Sequence, residues 1–479
     1  MDLLFDTYVQ KIKYNVLTEV AKLAYADQLS PSKLMEIAGI IIPDGKPNFR
    51  CCIYKERVII NERVSLALGG DPDSQSVVAV LGIACDECPV DGMQVTAACR
   101  GCLAHRCMAA CPKDAITVMD HMACIDKEKC IECGRCLSAC PYSAIVKNTR
   151  PCVRACKSKA ISIDRVSNKA TIDYDKCTSC GACVYQCPFG AITDKSDMTT
   201  AISFINGSKN NTDYHVYAVV APAIAVQYTN NISLDQVAAG IRALGFHAVV
   251  EAARGADMAA YLEAKELKEK GFMLSSCCPS FVDYVMQNFP SLAGTISDTL
   301  SPMAMIGKRL HETDPGCRVV FIGPCISKKS EAKYTKSAEH VDCALTFEEL
   351  QAMFSAKEIN LNELEGEAVQ GASAFGRGFA RSGGLSEAIG QALKEQDGGF
   401  YSFDYRPLVC NGLPECCDAL LKASKGFLNE NFIEGMACEG GCIGGPACLN
   451  HTAKNAAQIA AYAKKSKETT IEKAISSPL

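Results

Sequence analysis

Four times the chain repeats one pattern: two cysteines three residues apart, three more residues, then Ala-Ile. The copies are CMAACPKDAI, CLSACPYSAI, CVRACKSKAI and CVYQCPFGAI, beginning at Cys107, Cys136, Cys152 and Cys183. Units this short cannot each bury a core, so what they share is a spacing of thiols, and that spacing limits the fold more than hydropathy does. The chain has 30 cysteines, 17 of them between Cys85 and Cys187. Residues 1–30 lack the charged-then-apolar pattern of a signal peptide. The thiols are therefore expected in a reducing, cytoplasmic setting, where such density points to metal rather than disulfides.

Copies two and four are complete. Cys130, Cys133, Cys136 and Cys140, and again Cys177, Cys180, Cys183 and Cys187, read C-x2-C-x2-C-x3-C-P. This is the bacterial ferredoxin spacing, in which the fourth cysteine of each run serves the other 4Fe–4S cluster. Taking the two complete runs as partners predicts one cluster on Cys130, Cys133, Cys136 and Cys187, and another on Cys177, Cys180, Cys183 and Cys140. By the same exchange, Cys99, Cys102, Cys107 and Cys156 form a third. Cys111 and Cys152 then need two more ligands, and Cys85 with Cys88 are the candidates to complete a fourth. Zinc knuckles lack the third and fourth spacings. His105 is expected to be solvated, Cys124 has no place in the pattern, and the pair Cys51–Cys52 is expected to be buried packing.

At 479 residues with 48% hydrophobic and 22% charged residues, the chain has room for two or three domains with real cores. Its net charge of −5 offers no broad basic balance for nucleic acid or an anionic membrane, and no apolar stretch is long enough to span a bilayer. The expected division is a small N-terminal segment (1–78), a ferredoxin-like α+β domain (79–197) and an α/β domain (198–479). In the first, YVQKIKYNVLTEVAKLAYA has helical periodicity and ERVIINERV suggests a strand and turn. In the last, strands such as HVYAVVAP and RVVFIGP alternate with helices, one of them starting at an expected N-cap, Ser233. AKNAAQIAAYAKKSKETTIEKA reads as one surface helix.

Three Gly- and Pro-rich stretches of the last domain hold cysteines: SSCCPSF (275–281), GPCISKKSE (323–331) and EGMACEGGCIGGP (434–446). Cys278, Cys325, Cys438 and Cys442 together make four thiolates for one further cubane. Neighbouring side chains point apart, so Cys277, adjacent to Cys278, needs another job.

In order and spacing, these stretches resemble the signature loops of FeFe-hydrogenases, with VAPAIAV and RSGGLSEAI also matching over roughly residues 215–462. The chain looks most like group B of that family. The resemblance implies an H-cluster: a cubane on Cys278, Cys325, Cys438 and Cys442, joined through Cys442 to a two-iron unit with carbon monoxide, cyanide and azadithiolate ligands. It implies that Lys328 donates to an iron-bound cyanide. It also implies a proton relay running through Glu266, Ser297, Glu263 and Cys277. Several positions depart from the family pattern: Phe281 stands for Trp, Gly323 for Met, Met303 for Gln, Ala223 for Ser and Lys270 for Arg, and GGPAC closes the third loop.

The resemblance implies reversible reduction of protons to H2, with electrons arriving through the cubanes from ferredoxin or flavodoxin and with dependence on H-cluster maturation proteins. Two other readings remain: a hydrogen sensor, which usually carries a signalling domain, and an iron–sulfur assembly relative. The latter typically loses the relay thiol and the cyanide lysine.

Overall fold

The computed structural model describes residues 5–89, 91–164, 166–228, 232–399 and 403–477. The thiol-rich region folds into eight short strands: β1 (Val78–Val80), β2 (Gly92–Val95), β3 (Ile116–Met119), β4 (Met122–Ile125), β5 (Ile145–Asn148), β6 (Ile161–Ile163), β7 (Ala170–Ile172) and β8 (Ile192–Asp194). Their pairing is not sequential. β1 pairs with β8 and β6 with β7, while β2 pairs with β5 and β3 with β4, all antiparallel. Two ferredoxin-like modules result, and one is nested inside the other. Strands β2–β5 form a complete module inserted between β1 and β6 of the outer one.

The Cys-x3-Cys-x3-Ala-Ile repeat has a common physical basis. Three residues after the last cysteine of each copy, the backbone turns left-handed, at Asp114, Ser143, Lys159 and Gly190. That turn aims the next amide at the sulfur: the N–H groups of Ala115, Ala144, Ala160 and Ala191 donate to Cys111, Cys140, Cys156 and Cys187 at 3.1–3.4 Å. The Ala-Ile that follows is buried in every copy. The small alanine lets the backbone approach the sulfur, and the isoleucine begins a strand.

The rest of the chain forms two parallel sheets. The strands are β9 (Val216–Val220), β10 (Ala248–Glu251), β11 (Met273–Leu274), β12 (Arg318–Gly323), β13 (Cys343–Thr346), β14 (Pro407–Asn411) and β15 (Phe432–Met436). One sheet has the order β10-β9-β12-β13 and the other β11-β15-β14. Parallel strands covered on both faces read as apolar runs, and β9 and β12 are almost wholly buried. Ser233 caps the helix Leu234–Ala243 through a full capping box with Gln236.

Three expectations are corrected. ERVIINERV is not a strand and turn; it lies in the helix Ile53–Ala67, whose Ile60, Arg63, Val64 and Ala67 fall on one buried face, so packing overrides β-propensity. The last helix is two, Asn455–Ala463 and Ile471–Ser476. The Ser466 hydroxyl donates to the Ala372 carbonyl and accepts from the Glu468 amide, bending the chain between them. Cys51 is exposed and Cys52 half-buried, so the pair is not core packing. Among the described residues no helix is long and apolar enough to cross a membrane.

Candidate iron–sulfur and proton-relay site

The structure gathers the thiols of the nested modules into four sets. Cys111, Cys130, Cys133 and Cys136 line one hollow. Cys99, Cys102, Cys107 and Cys140 line a second, and Cys85, Cys88, Cys152 and Cys187 a third. In the fourth set, burial and then the neighbouring thiols Cys180, Cys177 and Cys156 push the Cys183 thiol well above its ordinary pKa. Four sulfurs around a hollow suit a cubane. Among the described residues no three Cys, His, Asp or Glu side chains converge closely enough for a single metal ion, as zinc would need.

These sets correct the expected exchange. Cys187 joins Cys85, Cys88 and Cys152 rather than Cys130, Cys133 and Cys136. Cys140 joins Cys99, Cys102 and Cys107 rather than Cys177, Cys180 and Cys183. Cys156 joins Cys177, Cys180 and Cys183 rather than Cys99, Cys102 and Cys107. Cys111 joins Cys130, Cys133 and Cys136 and leaves the set with Cys85, Cys88 and Cys152. Fourth cysteines are exchanged within a module, between halves joined by strand pairing, and the two complete runs lie in different modules. His105 lines the Cys99 hollow instead of standing free.

A Cys85→Ser, Cys88→Ser, Cys187→Ser variant distinguishes the pairings. It is expected to lose one cubane, about four irons, because all three thiols belong to one set. Loss of two cubanes in iron and sulfide analysis would favour the exchange expected from the sequence.

The three Gly- and Pro-rich cysteine loops follow the carboxyl ends of three parallel strands, where α/β sheets place their sites. Cys278 comes after β11, Cys325 after β12 and Cys438 after β15. Cys325 leaves one sheet while Cys278 and Cys438 leave the other, so the site lies between the two. Burial pushes the Cys438 thiol far up, and Cys325, Cys278 and Cys442 push it further, which places all four within one another's fields. Burial and the Cys278 thiol push the Cys442 thiol up to about 11. The four thiols fit a cubane. Cys448 and Cys416 are buried and point at backbone carbonyls, as packing thiols do.

Gly181 brings the outer module against these loops. Its backbone is left-handed (φ 77°), and a Cβ there would meet Ile326 at 2.5 Å and Pro446 at 2.8 Å. Cys180, one residue earlier, lines the same cleft as Cys438. At the other end, the nested module joins the outer one through Gly92 and Asn148, which pair across β2 and β5. A Cβ on Gly92 would meet Glu132, in the Cys130–Cys133 loop. These contacts join the sets in the order Cys99/102/107/140 and Cys111/130/133/136 in the nested module, Cys85/88/152/187 and Cys156/177/180/183 in the outer one, then Cys278/325/438/442.

Lys328, on the helix Ser327–Tyr334, donates to the Cys277 carbonyl at 3.3 Å and pairs with Glu331 at 2.5 Å. Burial works against its charge, but Glu331 and the thiols of Cys325 and Cys277 hold its pKa above the ordinary lysine value. A permanent cation therefore stands beside the Cys325 and Cys442 loops, suited to an anionic ligand.

Glu263 and Glu266 share a face of the helix Ala252–Lys270. Glu266 accepts from the Ser297 hydroxyl at 2.7 Å and pairs with Lys270 at 2.7 Å near the surface. Glu263 is buried, and burial raises its carboxyl to about 7. Its Oε1 meets the Ser276 hydroxyl at 3.3 Å, while Oε2 is buried without a hydrogen-bond partner. Ser297 is close enough to act on Glu263 as well. Burial and then the Glu263 charge push the Cys277 thiol well above its ordinary value, so it is held protonated. Ser276 was missed in the sequence: its hydroxyl donates to the Thr299 carbonyl at 2.7 Å while its backbone N–H donates to Glu263 at 3.4 Å, which helps fix Glu263 beside Cys277.

Sets of four thiols in paired modules, followed by a buried fifth set, define an iron–sulfur protein. Residues 214–446 match the family described as iron only hydrogenase large subunit, C-terminal domain. Residues 170–193 match the 4Fe-4S binding domain, and 104–150 the LdpA Fe-S cluster-binding domain. The chain is an FeFe-hydrogenase-like protein with an N-terminal ferredoxin-type domain. It is 28% identical to iron hydrogenase 1 of Clostridium pasteurianum over 390 residues, 70% of this chain and 66% of that protein. It is also 35% identical to the cytosolic Fe-S cluster assembly factor NAR1 of Eremothecium gossypii over 108 residues, 22% of this chain and 24% of that protein. The chain thus spans just under two thirds of the first relative and a quarter of the second. A variant of the [FeFe]-hydrogenase HydA1 from Chlamydomonas reinhardtii aligns in structure with a TM-score of 0.47 and 22% identity, over 57% of this chain and 90% of that one.

Proposed function

We propose that the protein catalyses 2H⁺ + 2e⁻ ⇌ H2, with the catalytic thiols holding an H-cluster and the four other sets carrying electrons to it. The observation that carries this reading is the polar chain from Lys270 and Glu266 through Ser297 and Glu263 to Cys277, beside the ligand Cys278. When bound, the H-cluster supplies the metal centre at which electrons and protons combine. The protein must bring protons in and keep bulk water out. With a pKa of about 7, Glu263 is half-protonated near neutrality and can both take and give a proton. Glu266, held charged near the surface by Lys270 despite partial burial, recharges it through the Ser297 hydroxyl. Cys277 holds the last proton.

The match to NAR1 favours a second reading, in which the cubane is kept for iron–sulfur assembly without hydrogen chemistry. Such a protein needs no buried carboxyl at Glu263, whose burial costs stability and is accounted for by a role in proton transfer. An infrared spectrum of protein matured in vivo tests the choice. Carbon monoxide and cyanide bands, with hydrogen evolution from a reduced viologen, are expected. Cubanes with neither bands nor hydrogen would overturn the hydrogenase reading and favour the assembly one.

A further inference from the structure

The vicinal pair Cys51–Cys52, which neither the thiol sets nor the proton relay uses, adjoins the anchor of one of those sets. Residues 43–49 run exposed between the helices Pro31–Ile41 and Ile53–Ala67, and Arg50 is the one buried residue before the pair. Glu56, buried on the second helix, holds this stretch by accepting from the backbone N–H groups of Asn48, Phe49 and Arg50 at 2.7–2.9 Å. The Arg50 guanidinium reaches the Cys85–Cys88 loop, donating to Asp86 at 2.8 Å and to the Ala84 carbonyl at 3.1 Å, with Glu87 at 3.2 Å. It also lies 5.3 Å from the ring centre of Phe189, two residues after Cys187. One side chain therefore braces the loops that carry three of the four thiols in the set Cys85, Cys88, Cys152 and Cys187. Beside that brace the Cys51 and Cys52 sulfurs stand 3.9 Å apart, Cys51 exposed and Cys52 half-buried. Cys52 holds the N-cap position of the helix Ile53–Ala67, where the Lys55 amide and then the Cys51 thiol hold its pKa below the ordinary value. A thiol so placed is a nucleophile with a resolving thiol next to it.

We infer that Cys51–Cys52 is a redox modification site, at which a low-molecular-weight disulfide closes the pair into a vicinal disulfide and loosens the Arg50 brace on the Cys85/88/152/187 set. The Cys52 thiolate attacks one sulfur of the disulfide RSSR, forming Cys52–S–S–R and expelling RS⁻. Cys51 then attacks the Cys52 sulfur, closing the Cys51–Cys52 bond and expelling a second RS⁻. The protons of the two cysteines pass to the two expelled thiolates, so the pair is oxidised by the two electrons that reduce RSSR. Closure brings the sulfurs from 3.9 Å to about 2.05 Å. The chain is held on one side by Glu56 and on the other by the start of the helix, so the adjustment falls on Arg50, the residue adjoining the pair. Cys124 is exposed too, but it has no cysteine beside it in the chain and can form only a mixed disulfide.

The test uses the full chain with its clusters loaded, kept free of oxygen and treated with oxidised glutathione. Two quantities are read: the mass of the tryptic peptide Cys51–Lys55 and the rate at which a chelator takes up iron. The peptide should carry an internal disulfide, two hydrogens lighter than the dithiol and with no glutathione attached. The iron of one cubane, about four atoms, should then leave at least about tenfold faster, the lower range for losing one hydrogen bond between charged groups. Dithiothreitol, added before the chelator, should restore the dithiol and the slow rate. Cys51→Ser/Cys52→Ser should release iron at the slow rate with or without glutathione, and Cys51→Ser alone should stop at a glutathione adduct on Cys52. Arg50→Gln should release the same iron quickly while still reduced and gain nothing from oxidation, since both changes act through one contact. If Arg50→Gln takes up its clusters poorly, Asp86→Asn removes the same ion pair from the other side. An unmodified peptide, glutathione adducts in place of the internal disulfide, or an internal disulfide with unchanged iron release would each overturn the proposal. So would faster release from the oxidant-treated double serine variant. Neither readout involves hydrogen, so the result is independent of the proposed reaction.

Discussion

A Cys277→Ala protein is expected to keep its clusters and infrared bands while evolving hydrogen at least about a hundredfold more slowly, the lower range for losing a positioned proton-transfer group. The expectation follows from where the two neighbouring thiols point. Cys278 lies in the field of Cys325 and Cys442, whereas Cys277 is pushed up, after burial, chiefly by Glu263. Cys278→Ala should accordingly cost a cubane ligand and leave the cofactor poorly assembled. Cys277→Asp should recover part of the rate, since a short carboxyl can also carry a proton. The deciding quantity is hydrogen evolved per intact two-iron unit. Near-normal turnover in the alanine protein would mean that protons reach the site by another route.

The thiol inventory was legible in the sequence because cluster ligation fixes local spacing. The α/β alternation was legible because buried parallel strands leave apolar runs. The partnership of the fourth cysteines was not, since strand pairing is a long-range choice that local spacing does not encode. A clue was present: the third repeat lacks its own Cys-x2-Cys, and Cys85 with Cys88 supplies it once residues 89–151 are set aside as an insertion. Glu263 and Glu266 could be placed only through the family resemblance. Their chemistry depends on burial, and the helical pattern of LEAKEL looks like any solvated face. Lys329 was hidden in the same way, as one of two lysines in SKKSE.

Lys329→Met is expected to be the most destabilising single change outside the cluster ligands. The lysine is fully buried and donates to Asp194 at 2.8 Å, to the Lys195 carbonyl at 2.8 Å and to Glu349 at 2.9 Å. Burial opposes its charge, yet Asp194 and Glu349 hold it protonated. Asp194 ends β8 of the outer ferredoxin module and also receives Lys13 from the N-terminal helix Tyr8–Tyr25. Lys13 in turn pairs with Glu348, and Gln10 on the same helix donates to Glu348 and to the Cys448 carbonyl. One buried carboxylate, Asp194, therefore joins the N-terminal helix, the ferredoxin domain and, through Lys329, the helix that carries Lys328, giving the N-terminal segment a structural role that its sequence did not show. Methionine fills the volume but leaves two carboxylates buried with less compensation, a loss on the order of 3–5 kcal/mol. Amide hydrogen exchange across Ser327–Tyr334 in the cluster-loaded protein should then speed up by about a hundredfold or more. Lys13→Met should produce a smaller change, because that lysine lies nearer the surface and Asp194 keeps Lys329. Unchanged protection in the Lys329 variant would show that apolar packing alone holds the three parts together.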